Sequence, residues 1–147
     1  MNPYFKGNDA YKKAAVNTED QGVLIIMLYD GSIRFLKSAI IRIEKNDLEK
    51  AHEYIVKTKN IISELMTSLT LKSGGKVAKD LHSLYSYMFN RLIDANIQKN
   101  RKYLQEVCGL LEELRDGWRA AVDHKKGKHP GIKYNNRSEV RPIKIRG

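Results

Sequence analysis

Glutamate and histidine at helical spacing are the first residues in this 147-residue chain that could support chemistry. Glu49 and His52 form one Glu-x-x-His pair, whereas a di-iron site in a helical bundle needs two such pairs and two further carboxylates. No second pair exists, and the other histidines, His82, His124 and His129, are not spaced as ligands. The sequence therefore predicts no metal site and no cofactor.

The motifs for nucleophilic catalysis and phosphate binding are also incomplete. The single cysteine, Cys108, lacks histidine and acid partners, so we interpret it as a small packed residue in a protein from a reducing compartment. Gly31-Ser32 lacks the glycine-x-serine-x-glycine pattern of a nucleophile elbow. Gly74-Gly75 lacks the lysine and the serine or threonine of a phosphate-binding loop. We expect a protein that is not an enzyme.

The segment at residues 23–43 is too apolar for a helix that buries one face only, so we expect it to be covered on two sides. Glycine costs about 1 kcal/mol relative to alanine inside a helix, so Gly31 predicts a close approach to the backbone, by a packed helix or by a partner. Two stripes follow three-four spacing: Ile26, Tyr29, Ile33, Leu36, Ile40 and Ile43, and beside them Leu24, Leu28, Gly31, Phe35 and Ala39.

Helix-capping residues predict where the first two helices begin and end. The first helix is expected to begin near Thr18 to Asp20, where either side chain can cap the free amides, and to end around Lys45. Asn46 with Glu49 is the predicted cap of the second helix. The connection between the two helices is then only about two residues long, which favours an antiparallel pair.

Two more helices follow, and no strand pattern is present. A turn at Gly74-Gly75 precedes the third helix, the polar residues 96–100 separate it from the fourth, and the fourth is expected to end before the cluster at 125–131. Each of these three helices has one apolar seam: Leu48, Ala51, Ile55, Thr58, Ile62, Leu65 and Leu69; Leu81, Tyr85, Met88, Leu92 and Ala95; and Leu104, Val107, Leu111, Leu114, Trp118 and Ala121.

Four helices joined by short loops predict an all-α fold, an antiparallel up-down-up-down four-helix bundle. The bundle domain is expected to span residues 1–123, with residues 1–17 as an N-terminal cap segment and residues 124–147 as a disordered, flexible basic tail. Apolar side chains left outside the seams predict a binding surface on the first helix and also on the next two, through Tyr54, Ile61 and Met66, and through Phe89, Ile93 and Ile97.

The net charge of +10 is concentrated in the tail. Residues 124–147 hold eight basic residues and one acidic residue, Glu139, which leaves +3 for residues 1–123. The tail has two open interpretations: a solvated tail that aids solubility, or a segment that binds acidic protein or nucleic acid. No apolar run reaches membrane-spanning length and no secretion leader opens the chain, so we expect a soluble cytoplasmic protein without membrane insertion.

Several separate segments form a recognisable pattern over roughly residues 10–122. They are Ala10-Tyr11, residues 24–36 (LIIMLYDGSIRFL), residues 61–69 (IISELMTSL), Gly74-Gly75, residues 84–88 (LYSYM), Arg91-Leu92 and residues 110–118 (LLEELRDGW). In this order they resemble the flagellar secretion chaperones of the FliS family. The resemblance implies a cytoplasmic four-helix chaperone that binds the disordered C-terminal segment of flagellin, prevents premature polymerisation and assists delivery to the flagellar type III export apparatus.

The resemblance also implies a flagellin-binding groove. Tyr11 is the predicted plug: by position it is expected to cover apolar surface near Leu28 in the free protein and to leave when the client binds. Two features depart from the family: Asp20-Gln21 stands where members commonly have a proline, and the tail exceeds the usual length. The predicted groove residues are Tyr11, Leu24, Met27, Leu28, Tyr29, Asp30, Gly31, Arg34, Phe35, Leu65, Tyr85, Met88, Arg91 and Leu92.

Some groove residues have a structural interpretation as well. Tyr29 lies on a core stripe, and Asp30 with Arg34 has the spacing of a surface ion pair worth a few tenths of a kcal/mol. The expected partners are the flagellin C-terminal segment and the type III export gate protein, with other flagellar regulatory proteins as further candidates. The alternatives are a nucleic-acid-binding helical protein acting through the tail, and an adaptor that pairs bundles. The nearly balanced body and the lack of a nucleic-acid-binding motif favour the chaperone.

Overall fold

The computed structural model describes residues 18–69 and 71–126, and within these ranges all regular secondary structure is helical. The all-α prediction is confirmed, and four helices without a strand in the described ranges are consistent with a four-helix bundle. None of these helices combines the length and the apolar character that a membrane span requires. The helices are α1 (Thr18–Glu44), α2 (Leu48–Thr67), α3 (Leu71–Gln98) and α4 (Arg101–Lys126).

The connection between α1 and α2 is a helix stop followed directly by a cap. Asn46 has a left-handed backbone (φ 59°), and the amide of Asp47 donates to the carbonyl of Arg42 at 2.7 Å, which closes α1 with a Schellman motif. The Asp47 carboxylate then accepts from the amide of Lys50 at 3.2 Å. The prediction of Asn46 as the cap of α2 is therefore wrong, because Asn46 serves to end α1.

The α3–α4 connection is likewise a helix stop followed directly by a cap. Lys99 has a left-handed backbone (φ 50°), and the amide of Asn100 donates to the carbonyl of Ala95 at 3.0 Å. The Asn100 side chain accepts from the amides of Lys102 at 2.9 Å and Tyr103 at 3.3 Å, which caps α4. The predicted break at residues 96–100 is confirmed.

Gly75 interrupts α3 near its start. Its backbone (φ 61°, ψ −143°) is not helical and lies in a region that side chains other than glycine strongly disfavour. The chain therefore changes direction at Gly75 before the main part of α3 begins. This confirms the predicted turn at Gly74-Gly75, although the helix already starts at Leu71.

The described residues fall into two compact units, of which the first comprises residues 18–29 and 113–126. The described part of this unit buries Gly22 and Leu28 from α1 and Val122 from α4. Ala121, placed on the α4 seam by its sequence spacing, is exposed instead. Val122 lies 18 residues after Leu104, which is five full turns of about 3.6 residues, so it continues the seam where Ala121 does not.

The second unit, Asp30–Glu112, holds most of the described core. Its buried apolar residues are Ile33, Leu36, Ala39, Ala51, Ile55, Ile61, Ile62, Leu65, Ala78, Tyr85, Met88, Leu92, Ala95, Leu104, Val107, Cys108 and Leu111. Cys108 is buried, as predicted for a small packed residue. Members of both α1 stripes are buried in this unit, so the prediction that α1 is covered on two sides is confirmed here.

Two α2 residues differ from their predicted positions. Leu48 was expected on the seam but is 43% exposed, and it is the first residue of α2, at the end of the helix. Ile61 was expected in the leftover apolar strip but is fully buried. It packs over Gly31, where the missing side chain leaves room for it.

Candidate partner-binding surface

The predicted groove residues divide into buried and surface residues. Tyr11 lies outside the described residues. A partner reaches the buried residues only if the helices separate. Those buried are Leu28, Tyr29, Gly31, Leu65, Tyr85, Met88 and Leu92, and those at least partly accessible are Leu24, Met27, Asp30, Arg34, Phe35 and Arg91.

The first unit contributes a small apolar patch on α1. Val23 is 39% exposed and Met27 is 38% exposed, and the two are four residues apart, so they lie on one face of the helix. Leu24 is half-buried beside them, while Leu28 and Tyr29 belong to the core of the same unit. This patch contains two of the predicted groove residues, Leu24 and Met27.

In the second unit, aromatic rings from two helices meet at the surface. Phe35 of α1 and Tyr54 of α2 are both half-buried, and their ring centroids are 6.0 Å apart with an interplanar angle of 31°. The ammonium of Lys57 lies 5.5 Å from the Phe35 ring centroid and 5.7 Å from that of Tyr54. A cation at this distance is attracted to the ring face while its alkyl stem shields the rings from water.

Next to the rings, α1 and α2 approach closely at Gly31. A Cβ placed on Gly31 would lie 3.6 Å from Cδ1 of Ile61 and 3.9 Å from Nη2 of Arg34. The close neighbour that glycine predicted is therefore a packed helix, with the Arg34 side chain folded over it. Together these contacts define the α1–α2 surface: Gly31, Arg34, Phe35, Tyr54, Lys57 and Ile61.

Gly31→Ala is expected to raise the free energy of unfolding by up to about 1 kcal/mol. The new methyl group meets Ile61 at ordinary van der Waals distance, and alanine is the better helix former. Urea unfolding followed by circular dichroism measures the change. A loss of stability would mean that Gly31 serves a tighter contact than the one between α1 and α2.

A second aromatic contact joins α2 to α3. The ammonium of Lys59 lies 5.7 Å from the ring centroid of Phe89, and Asn96 Nδ2 is 2.9 Å from His52 Nδ1. Farther along α3, Ile97 is 77% exposed, and the other two residues of the predicted leftover strip, Phe89 and Ile93, are half-buried. An exposed isoleucine beside half-buried aromatic surface is typical of a binding face.

A third cluster joins α3 to α4 around Arg91. Its guanidinium carbon lies 4.3 Å from the Tyr103 ring centroid and 5.4 Å from that of Tyr87, and its Nε donates to Glu106 Oε1 at 3.0 Å. The Tyr87 hydroxyl donates to the other Glu106 oxygen. The hydrogen bond with Tyr87 is the largest effect and raises the pKa of Arg91; burial opposes it, and the charge of Glu106 adds to the increase.

Sequence reasoning identified Arg91 but missed the residues that hold it. Tyr87 is four residues before Arg91 and therefore lies on the same helix face, and Tyr103 with Glu106 has the three-residue spacing of a shared face on α4. These spacings were a usable signal within each helix. What the sequence did not reveal was that the two pairs face each other.

Ion pairs complete the connections between helices in the second unit. Lys37 of α1 and Glu112 of α4 are 3.3 Å apart, and Glu44 of α1 and Arg101 of α4 are 2.8 Å apart.

Within the described ranges no group of histidine, cysteine and carboxylate residues could hold a metal ion. The arrangement is suited to binding a partner through apolar and aromatic surface with cations at its edge.

Comparison with known protein families places this helical chain among flagellar chaperones. The sequence profile of a family described as "Flagellar protein FliS" matches residues 4–125. The match spans most of the chain, including all four helices except the last residue of α4. The chain belongs to the FliS family.

Curated relatives agree with this assignment. A flagellar secretion chaperone FliS of Bacillus subtilis (strain 168) is 36% identical over 130 residues, which cover 88% of this chain and 93% of the relative. The FliS chaperone of Salmonella typhimurium is 34% identical over 73% of this chain and 80% of its own length. That of Campylobacter jejuni is 32% identical over 76% and 87%, respectively.

Proposed function

We propose that this chain is a cytoplasmic, non-enzymatic export chaperone that binds the disordered C-terminal segment of flagellin. In this role it prevents premature polymerisation and assists delivery to the flagellar type III export apparatus, through contacts with the export gate protein. The observation that carries the proposal is the half-buried pair Phe35–Tyr54 under Lys57, on a chain of the FliS family. Accessible aromatic surface between helices is what an amphipathic client segment needs.

The proposed groove uses its predicted residues in two ways. Leu24, Met27, Arg34, Phe35 and Arg91 are accessible and are proposed to contact the client directly. The buried members of the predicted groove set are proposed to support these contacts from the core. Because the accessible residues are few, the client has to gain its affinity from a long contact and not from one pocket.

The energetics of ordering a flexible client support an extended interface. Fixing the backbone of one residue costs about 1 to 2 kcal/mol, and apolar burial returns about 25 cal/mol per Å². Each ordered client residue must therefore bury about 40 to 80 Å² of apolar surface before binding becomes favourable. Most of the buried area only offsets this entropy, so a large contact area is needed for a modest net affinity, which favours an extended interface.

We also propose the up-down-up-down antiparallel order for the helices of the second unit. Along each pair of neighbouring helices, the contacting residue number rises on one helix as it falls on the other. From α2 to α3, His52 meets Asn96 and Lys59 meets Phe89. Pairs of this kind, with one number rising as the other falls, support antiparallel neighbours.

Calorimetric titration of the full chain with the C-terminal segment of flagellin from the same organism tests the function. We expect saturable 1:1 binding with a negative heat-capacity change, because apolar surface leaves water. A peptide of the same composition in scrambled order is the control and is not expected to bind. Absence of binding by the flagellin segment would refute the proposed function.

The basic tail favours one other candidate function, binding of nucleic acid. The tail carries a net charge of +7, and phosphate binding through it would fall steeply as salt rises. Deletion of residues 124–147 separates the two functions. Flagellin binding that survives this deletion supports the chaperone, and nucleic-acid binding that is lost with it supports the alternative.

A further inference from the structure

The α1–α2 surface carries two cations that have no acidic partner among the described residues. Arg34 and Lys57 are both exposed, and no carboxylate of residues 18–69 or 71–126 lies within 4.0 Å of their charged groups. Toward the α1–α2 connection Arg42 of α1 does have an acidic partner, since it lies 3.5 Å from Asp47. Arg34 and Lys57 differ from Arg42 in this respect.

Lys57 has a carboxylate at the right spacing and does not use it. Glu53 is four residues earlier, the position from which a glutamate usually pairs with a lysine on a helix. Glu53 instead lies 3.8 Å from Lys50, and the Lys57 ammonium lies over the rings of Phe35 and Tyr54. The positive charge of Lys57 is thus held above apolar surface.

Arg34 also holds its positive charge over apolar surface, at Gly31, one helical turn before Phe35 on α1. Its guanidinium folds over Gly31, beside the buried Ile61, and forms no ion pair with Asp30 four residues before it. Gly31 and Phe35 are four residues apart, so the two cation-covered contacts are about 6 Å apart along the helix axis. The interpretation of Asp30 with Arg34 as a surface ion pair is therefore wrong.

We propose that the α1–α2 surface selects a client segment that carries carboxylates beside its apolar residues. On binding, the apolar residues cover Phe35, Tyr54 and the Gly31 contact, and two carboxylates pair with Arg34 and Lys57. Gly31 and Phe35, over which the two cations lie, are one helical turn apart on α1, so we expect the two carboxylates to be about one turn apart on a client helix, three or four positions. The proposal rests on the proposed function for the identity of its partner, and it adds a charge rule to that function.

The charge rule, by which the α1–α2 surface prefers clients with carboxylates beside apolar residues, also explains why the cations cover the rings in the free chain. An exposed aromatic pair is a site of aggregation, and lysine or arginine stems shield it while their charged ends stay in water. A client without acidic residues would have to displace the two cations without gaining a partner for them. Selectivity then follows from the difference in binding free energy between a client with acidic residues and a client without them.

The test titrates the full chain with the flagellin segment and with two designed amphipathic helical peptides that differ only in Glu→Gln at the acidic positions. The Arg34→Glu/Lys57→Glu variant reverses both charges, and Lys102→Glu/Lys79→Glu is the control with the same change in net charge at exposed cations of α4 and α3. Circular dichroism checks that every variant folds. Arg34→Met/Lys57→Met keeps the apolar stems and removes only the charges.

The charge-reversal variant is expected to bind the flagellin segment about tenfold more weakly, since each lost surface pair is worth up to about fivefold and reversal adds repulsion. The Met variant is expected to lose about threefold and the control variant less than twofold. Wild type is expected to prefer the Glu peptide over the Gln peptide, and the charge-reversal variant is expected to lose this preference. Equal flagellin binding by wild type and the charge-reversal variant, or equal binding of both peptides by wild type, would overturn the charge rule.

The two proposals fail separately in this design. If the flagellin segment binds wild type and the charge-reversal variant alike, the chaperone function stands and the charge rule is refuted. The opposite outcome is that the flagellin segment does not bind, while wild type prefers the Glu peptide over the Gln peptide and the charge-reversal variant does not. In that case the charge rule stands and the flagellin assignment is refuted.

Discussion

Leu65→Ala is expected to lower the free energy of unfolding by about 2 to 5 kcal/mol, the largest effect of any change considered for this chain. Leu65 is only 1% exposed and belongs to the core of the second unit, so removal of its side chain leaves a cavity. Urea or thermal unfolding followed by circular dichroism measures the loss. Since small domains are stable by about 5 to 15 kcal/mol in total, this loss is a large share of the stability of the domain.

Leu48→Ala on the same helix is the matched control. Leu48 is 43% exposed, so the same substitution removes less buried surface and is expected to cost below about 1 kcal/mol. Equal losses at Leu65 and Leu48 would contradict the burial pattern of α2. Because Leu65 is also a predicted groove residue, its binding should be compared only under conditions where the variant is folded.

Gly22→Ala is the second large change and concerns the first unit. A Cβ on Gly22 would lie 2.8 Å from Cγ2 of Val122, which is closer than two carbon atoms can approach. Val122 is short, β-branched and buried, so it cannot move aside easily. Overpacking costs about 1 to 3 kcal/mol, partly offset by the better helix propensity of alanine, and we expect a net loss of about 1 to 2 kcal/mol in chemical denaturation.

Gly109→Ala is the control for Gly22→Ala. Nothing lies within 4 Å of a Cβ placed on Gly109, so alanine there is expected to stabilise α4 by up to about 1 kcal/mol. The two identical substitutions should therefore shift the urea midpoint in opposite directions. A stabilising Gly22→Ala would show that α1 and α4 are less tightly packed at Val122 than the 2.8 Å contact indicates.

The helix boundaries were predictable from the sequence because they depend on local chemistry. Apolar periodicity located four helices, and glycine, asparagine and polar clusters located their ends to within a few residues. The cap of α2 was misplaced by one residue, since Asn46 and Asp47 are both good caps. Only the left-handed backbone of Asn46 shows which of the two residues ends α1.

The errors within helices have a geometric cause. Three-four spacing alone does not determine which of two neighbouring residues stays on the buried face over many turns. Ala121 was therefore predicted on the α4 seam, whereas Val122 is the buried residue. Ile61 appeared to be surplus to the α2 seam because Gly31, its counterpart, carries no side chain to reveal the contact. Both errors concern the distance between helices, which a single sequence does not contain.

Only part of the candidate site could be predicted. Family resemblance pointed to Arg34, Phe35 and Arg91, which are accessible, but also to residues such as Tyr85 that the structure buries. Lys57 was not found, because a lysine on an exposed helix face has no distinctive pattern. Its significance depends on the rings beneath it, and those belong to two different helices.

The two short connections of the second unit also bear on the order in which its contacts form. Loop-closure entropy increases with the length of chain that must be closed, so contacts across the connections at residues 45–47 and 99–100 form at the lowest entropic cost. Arg91 and Glu106 are 15 residues apart, whereas Arg101 and Glu44 are 57 residues apart. The α1–α2 and α3–α4 contacts are therefore expected to form first and the α1–α4 contacts later. The surface that carries Arg34 and Lys57 would then exist early in folding, before the domain has closed around its core.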